Sequence, residues 1–272
     1  MTRTVLIAAA LSGLALAGCS TDGLPNPFKP QAAKPAVVAT TAPSAGWVKP
    51  PPGYLPAGAI DAATVVGPPP APDSPRGKAE RAQFDETRKL VNTDAWSRAI
   101  ADADLSGKNG MKSFSCAAGV TLSAEATPTL ANLLLRMTDD AAKIYQPAKA
   151  TYQRPRPPVG NTAPICVPRE AWINTDGSYP SGHGLIGWAW ASVIAELVPD
   201  KASPILARGK AFGDSRIICG VHFQSDVEAG RYLGSALVTR LHDDPAFLAD
   251  LAKARDEVKA SKAKGAPEGC GA

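Results

Sequence analysis

From Gly77 onward the apolar residues of this chain recur mainly at three- and four-residue intervals and almost never alternate. That period describes one face of a helix, whereas a half-buried strand needs alternation, so the body is expected to be all-α, a single-domain helical bundle. The pattern predicts helical stretches over Lys78–Leu105, Thr127–Tyr145, Gly184–Leu197, Ala202–Ile218, Asp226–Leu241 and Pro245–Lys262. In the second of these, Leu130, Leu133, Leu134 and Met137 form one broad apolar face. The apolar runs Leu130–Leu135 and Val193–Val198 are short and flanked by charge, so they read as core helices rather than membrane spans.

Ahead of Gly77 the composition is different. Thr21 to Pro75 is dominated by Pro, Ala, Gly and Thr, with Lys49-Pro50-Pro51-Pro52 and Pro68-Pro69-Pro70 as extreme cases. Such a segment cannot bury a core and favours extended, polyproline-like chain. The expected organisation is therefore a leader at 1–19, a tether at 20–76, a helical domain at 77–262 and a tail at 263–272. The last portion of the tether, around Tyr54 to Val66, is placed to pack onto the body.

The leader carries one positive charge at Arg3 and an apolar run from Val5 to Ala17, too short for a permanent span, which reads as a secretory signal peptide. Leu16-Ala17-Gly18-Cys19 resembles a bacterial lipobox. That resemblance implies that Cys19 becomes the lipidated first residue, and Ser20 after it implies retention at the outer membrane. The alternative is ordinary cleavage after Ala17 and a soluble periplasmic protein. Either route leads to an oxidising compartment, where the four remaining cysteines, Cys116, Cys166, Cys219 and Cys270, are expected to form two disulfides. Of the three possible pairings, Cys116–Cys166 with Cys219–Cys270 is preferred here. A net charge of +4 is too weak to imply a nucleic-acid partner, though it suits an anionic substrate.

With only three histidines and no Cys-x-x-Cys, His-Glu-x-x-His or Asp-rich calcium loop, a metal-dependent hydrolase is disfavoured, and no cofactor is expected. The chemistry instead gathers in three blocks. The first is Lys149-Ala-Thr-Tyr-Gln-Arg154-Pro-Arg156-Pro157. Its prolines force extended chain, so Lys149 can end one helix while Arg156 projects from the turn beyond, a point charge and a planar fork suited to phosphate oxygens. The second is Asp176-Gly-Ser-Tyr-Pro180-Ser181-Gly182-His183, leading into an apolar helix. Ser181 fits an N-cap, the Gly182 and His183 amides then face an anion, and His183 can donate a proton to a departing alkoxide.

The third block is Ser215-Arg216-Ile-Ile-Cys219-Gly220-Val-His222-Phe-Gln-Ser-Asp226. An Asp226 that accepts one ring N–H of His222 leaves the other nitrogen free to attack. Arg216 reaches the same pocket only if the chain bends near Gly220.

In order and spacing these blocks match Lys-x6-Arg-Pro, Pro-Ser-Gly-His and Ser-Arg-x5-His-x3-Asp, and the chain thereby resembles the type-2 phosphatidic acid phosphatase superfamily. The Gly-Ser-Tyr before Pro180 is most similar to bacterial class A non-specific acid phosphatases. The resemblance, over roughly Lys78 to Arg255, implies the helical fold of the acid phosphatase and vanadium haloperoxidase type. It also implies metal-independent hydrolysis of phosphate monoesters with a mildly acidic optimum. By it, His222 is the nucleophile that becomes phosphohistidine, Asp226 orients it, and His183 is general acid and then base. Lys149, Arg156, Arg216, Ser181 and the Gly182 amide bind phosphoryl oxygens. Arg154 and His242 match nothing in the signature and read as structural and superficial. The same signature leaves three rivals: a vanadium-dependent haloperoxidase, a lipid phosphatase at the membrane, and a non-catalytic phosphate-binding envelope lipoprotein.

Overall fold

The computed structural model describes residues 50–106 and 110–270. The expected signal peptide, Cys19 and the tether up to residue 49 lie outside the described residues. Within them the chain forms α1 (Ala62–Val66), α2 (Pro75–Thr87), α3 (Asp94–Ala101), α4 (Lys112–Ala118), α5 (Pro128–Tyr152), α6 (Trp172–Thr175), α7 (Gly182–Leu197), α8 (Ala202–Cys219), α9 (Gln224–Leu241) and α10 (Pro245–Lys262). No strand occurs among the described residues, so the fold is all-α as expected. No helix among them is long and apolar enough to cross a membrane.

Two helical expectations need correction. Lys78–Leu105 is not one helix but two, because Asn92 takes a left-handed φ of 64° and the Thr93 hydroxyl then caps α3 by accepting from the Trp96 amide at 3.3 Å. The helix expected to stop at Tyr145 runs on to Tyr152 through Pro147. The helix carries an interior proline at a cost, offset by burial of Ala148 and by the ion pair of Lys149 Nζ with Asp176 Oδ2 at 2.6 Å. The short helices α1, α4 and α6 had no expectation.

The helix α7 lies at the centre, packed against α5, α8 and α9. Its Trp190 is buried and donates its indole N–H to the Leu134 carbonyl of α5 at 2.9 Å. Leu133, Phe212, Leu233, Leu237 and Phe247 close the core around it. Each such full burial stabilises the fold by about 1.5–3 kcal/mol. At Gly230 a Cβ would sit 2.5 Å from the Ser181 carbonyl oxygen, so only glycine lets α9 come this close to the start of α7.

The Pro-rich region joins this body well before Gly77. The Gly53, Tyr54 and Leu55 amides donate to the Asp139 and Asp140 carboxylates at 2.9, 2.8 and 2.9 Å. The Tyr54 hydroxyl reaches Asp250 on α10 at 2.8 Å.

The four cysteines among the described residues form two disulfides, but not in the preferred pairing. Cys116 joins Cys270, and Cys166 joins Cys219. Cys116 lies within α4, where it meets Cys270, whereas Cys166 lies beside the end of α8. The fold brings Cys166 to Cys219, whose backbone carbonyl also accepts from the Cys166 amide at 3.0 Å.

Candidate active site

Backbone hydrogen bonds stitch the three blocks together. The Ser178 amide donates to Arg154 and the Ser181 amide to Asp226, each at 2.9 Å. The first bond joins the segment after α5 to the loop before α7; the second joins that loop to the start of α9. Lys149 lies in the last turn of α5, and Gln153 then takes a left-handed φ of 44°, its amide capping the Lys149 carbonyl. Arg154-Pro155-Arg156 runs on as extended chain, which turns Arg156 toward the same space as Lys149.

The turn at Gly220 answers how Arg216 and His222 can share a pocket. The helix α8 ends at Cys219, Gly220 takes φ 81°, and the chain reverses so that His222 lies between helices rather than within one. Arg88 secures this corner from outside, donating to the Ile218 carbonyl at 2.6 Å and to the Ile217 carbonyl at 3.3 Å. The Cys166–Cys219 disulfide secures it from the other side. Asp226 is the third residue of α9, and its Oδ2 accepts from the Phe223 amide at 2.7 Å as part of that helix's capping.

Six of the sequence-predicted residues, Lys149, Arg156, Gly182, His183, Arg216 and His222, line one cavity of about 410 Å³. The other two stand behind it. Asp226 is buried beneath His222, and the buried Ser181 caps α7, its hydroxyl accepting from the Gly184 amide at 3.1 Å. Trp172, Val167 and Glu170 form the outer wall with Ala103 and Leu105.

The hydrogen bonds fix the tautomer of His222. Its Nε2 lies 3.1 Å from Arg156 Nη1, and a guanidinium can only donate, so Nε2 carries a lone pair. Its hydrogen therefore sits on Nδ1, which faces Asp226 Oδ2 at 3.3 Å. Burial, then the charges of Arg156, Lys149 and Arg216, hold the His222 imidazole well below its ordinary pKa and keep it neutral. His183 is held well below its ordinary value by burial and then by Arg216. Its Nε2 lies 3.1 Å from the Ala103 carbonyl oxygen, which places a hydrogen on that nitrogen.

Three cations surround the two rings. Burial pulls Arg216 down to about 10 and, with the nearby Arg156, pulls Lys149 down to about 8. The Arg216 Nη2 bonds the Ala99 carbonyl, while its buried Nε meets no acceptor among the described residues. Asp102, also buried, takes hydrogen bonds from Ser215 and Arg208 and adds negative charge near Arg216.

Two residues without a sequence-assigned role complete the site. Arg154, read as merely structural, donates to Asp226 Oδ1 at 2.5 Å, to Ser225 Oγ at 2.8 Å and to Glu80 Oε2 at 2.8 Å. Burial raises the Asp226 carboxyl and Arg154 opposes that rise. Asp176 sets its Oδ2 between Lys149 Nζ at 2.6 Å and Arg156 Nη2 at 2.7 Å. The signal for Asp176 was its place at the head of the second block; Arg154 offered only its closeness to Arg156.

This helical body gathers a neutral imidazole, His222, and the buried cations Lys149, Arg156 and Arg216 around one cavity, a setting whose charge suits an anion. The family model described as "PAP2 superfamily" matches residues 129–246, which contain all three blocks. Acid phosphatase of Zymomonas mobilis is 39% identical over 203 residues, 74% of this chain and 77% of that protein. Non-specific acid phosphatase of Providencia stuartii is 38% identical, covering 73% of this chain and 81% of its own length. Non-specific acid phosphatase of Salmonella typhimurium is 35% identical, covering 76% and 84%. The chain belongs to the PAP2 superfamily, in the group of bacterial non-specific acid phosphatases.

Proposed function

We propose that the chain is an acid phosphatase, a phosphoric monoester hydrolase that works without a metal through a phosphohistidine on Nε2 of His222. The single observation that carries this reading is the two-sided hold on His222: Arg156 Nη1 on Nε2 and Asp226 Oδ2 toward Nδ1. The relatives' names support the class of reaction.

The phosphoryl group takes the place of Arg156 Nη1 on the Nε2 lone pair, and Arg156 turns its freed donor to a phosphoryl oxygen. Lys149, Arg216 and the Gly182 amide take the remaining oxygens and stabilise the charge that spreads over them in the transition state. Nε2 attacks phosphorus as the bond to the leaving oxygen breaks, and Asp226 stabilises the positive charge on the ring. Protonated His183 gives its proton to that oxygen; with the Nε2 hydrogen held by Ala103, the transferable proton sits on Nδ1. Water then attacks the phosphohistidine, neutral His183 takes its proton, and the P–N electrons return to Nε2, leaving inorganic phosphate.

The depressed histidines account for an acid optimum. His183 must be protonated to donate, and a pKa held below the ordinary value means its charged form accumulates only as pH falls. His222, held down as well, remains an unprotonated nucleophile at those pH values.

Substrates are small phosphate monoesters that the cavity admits. Location is the periplasm, with a lipid on Cys19 holding the protein at the outer membrane; loss of labelled palmitate in Cys19→Ala is the expected result. Trapping with labelled substrate tests the mechanism: acid-labile label is expected on the peptide containing His222, and label on a serine would overturn it. His222→Ala abolishes turnover yet retains phosphate binding, which separates an enzyme from a mere binder.

A further inference from the structure

Asp176 is an anion inside a site built for anions. Its Oδ2 accepts from both Lys149 Nζ and Arg156 Nη2, the two cations contributed by the first block. Its backbone carbonyl accepts from Arg156 Nε at 2.9 Å, so Arg156 keeps one hold on this residue even when the carboxylate lets go. Burial works to raise the Asp176 carboxyl, but the Lys149 ammonium and the Arg156 guanidinium outweigh it and keep the group ionised. The side chain is one-third exposed and lines the cavity beside His222, so it is not sealed away from an incoming phosphoryl group.

From this geometry we infer that Asp176 is an internal competitor for the phosphate cradle, a residue that eases product release. The inference rests on the phosphatase reading. In the free protein its carboxylate accepts from Lys149 Nζ and Arg156 Nη2, the same two cations that phosphoryl oxygens require. A bound phosphoryl group must share Lys149 and Arg156 with it and then lies beside a carboxylate of like charge. The penalty falls on every bound phosphate, product included. A buried cradle carrying Lys149, Arg156 and Arg216 would otherwise hold inorganic phosphate tightly after each turnover. Asp176 thus trims the cradle's attraction for phosphate while its main chain keeps Arg156 aimed.

The opposite role, in which the carboxylate merely positions the two cations, predicts the opposite sign. Asp176→Asn retains a side-chain oxygen able to accept from one of them but removes the negative charge. The competitor role predicts that the competitive inhibition constant of inorganic phosphate falls by about tenfold or more. KM falls with it, and kcat falls where phosphate release limits turnover. A positioning role predicts a raised inhibition constant and a raised KM. Asp176 helps to hold up the Lys149 pKa, about 8 in the parent, so that pKa is lower in both variants, and the assay belongs at about pH 5, where the ammonium keeps its charge best.

Asp176→Ser serves as the second variant, and thermal melting with and without inorganic phosphate gives a readout independent of turnover. Tighter phosphate in both variants, with a larger phosphate-induced rise in Tm, supports the inference. Unchanged or weaker phosphate binding in folded variants overturns it. If the unmodified full chain neither turns over a monoester nor binds inorganic phosphate, the phosphatase reading itself fails, a distinguishable outcome.

Discussion

Arg154→Met removes the one cation that faces both Glu80 and Asp226. Its Nη2 lies 2.8 Å from Glu80 Oε2, and its Nη1 lies 2.5 Å from Asp226 Oδ1, with all three side chains in the interior. Methionine fills much of the volume but takes the paired cation from buried Asp226 and leaves Glu80 only Arg76, at 3.6 Å, and the Ser225 amide, at 2.7 Å. Breaking a buried pair in this way costs about 3–5 kcal/mol. At about 2–4 °C per kcal/mol for a domain of this size, Tm should fall by roughly 6–20 °C. The pH dependence identifies the cause. Burial already raises the Asp226 carboxyl and Arg154 restrains that rise, so the variant's Asp226 protonates at higher pH. A carboxyl raised in the folded state binds its proton more readily there than in the unfolded chain. The stability deficit is therefore full at neutral pH and shrinks relative to the parent as pH falls through the folded pKa. Activity moves the other way: a protonated Asp226 no longer stabilises the charged His222 ring, so kcat is lost first on the acid side and the optimum moves upward. Urea denaturation and kcat–pH profiles of both proteins measure this. Arg154→Lys should recover part of both. A loss under about 1 kcal/mol with an unshifted profile would refute the argument.

Two further expectations concern the proton donor and the corner at Gly220. His183→Ala should lower kcat/KM, which reports the step that expels the leaving group, by about 10²–10⁴-fold on alkyl phosphates and much less on nitrophenyl phosphate, whose leaving oxygen needs no proton; equal losses of kcat/KM on both would exclude a role as acid. Replacing Cys166 and Cys219 together by serine opens a loop with a sequence separation of 53 and should cost about 4 kcal/mol by chain entropy. Because that bond braces the corner leading to His222, kcat should fall as well, whereas the corresponding pair at Cys116 and Cys270 should cost stability with little change in kcat.

What the sequence disclosed depended on how local each arrangement is. The tautomer partner of His222 stands four residues away and the cap of α7 immediately precedes it, so both could be read from spacing. The bend at Gly220 was legible because glycine is the residue that permits a positive φ. Arg154 was read as structural but its partners were not legible, because its task is set by Glu80 and Asp226, 74 and 72 residues distant, whose arrival depends on how α2 and α9 pack. The disulfide pairing failed for the same reason, since the loop bearing Cys166 folds against the end of α8 and leaves the chain end to Cys116. The break between α2 and α3 did have a signal: Asn92-Thr93-Asp94 holds a residue tolerant of left-handed backbone, a cap and a first-turn acid.

The bonds from Gly53, Tyr54 and Leu55 to Asp139 and Asp140 also give the molecule a load path. A pull on the chain preceding residue 50 is taken up first by two carboxylates on the flank of α5, and Tyr54 spreads it to Asp250 on α10. Lys149 stands nine residues beyond Asp140 on that same helix. Tension therefore ends on a long rigid strut before it reaches α2, whose Glu80 steadies Arg154. Under the proposed anchor at Cys19, such a pull would be borne by α5 and α10 before it reached His222.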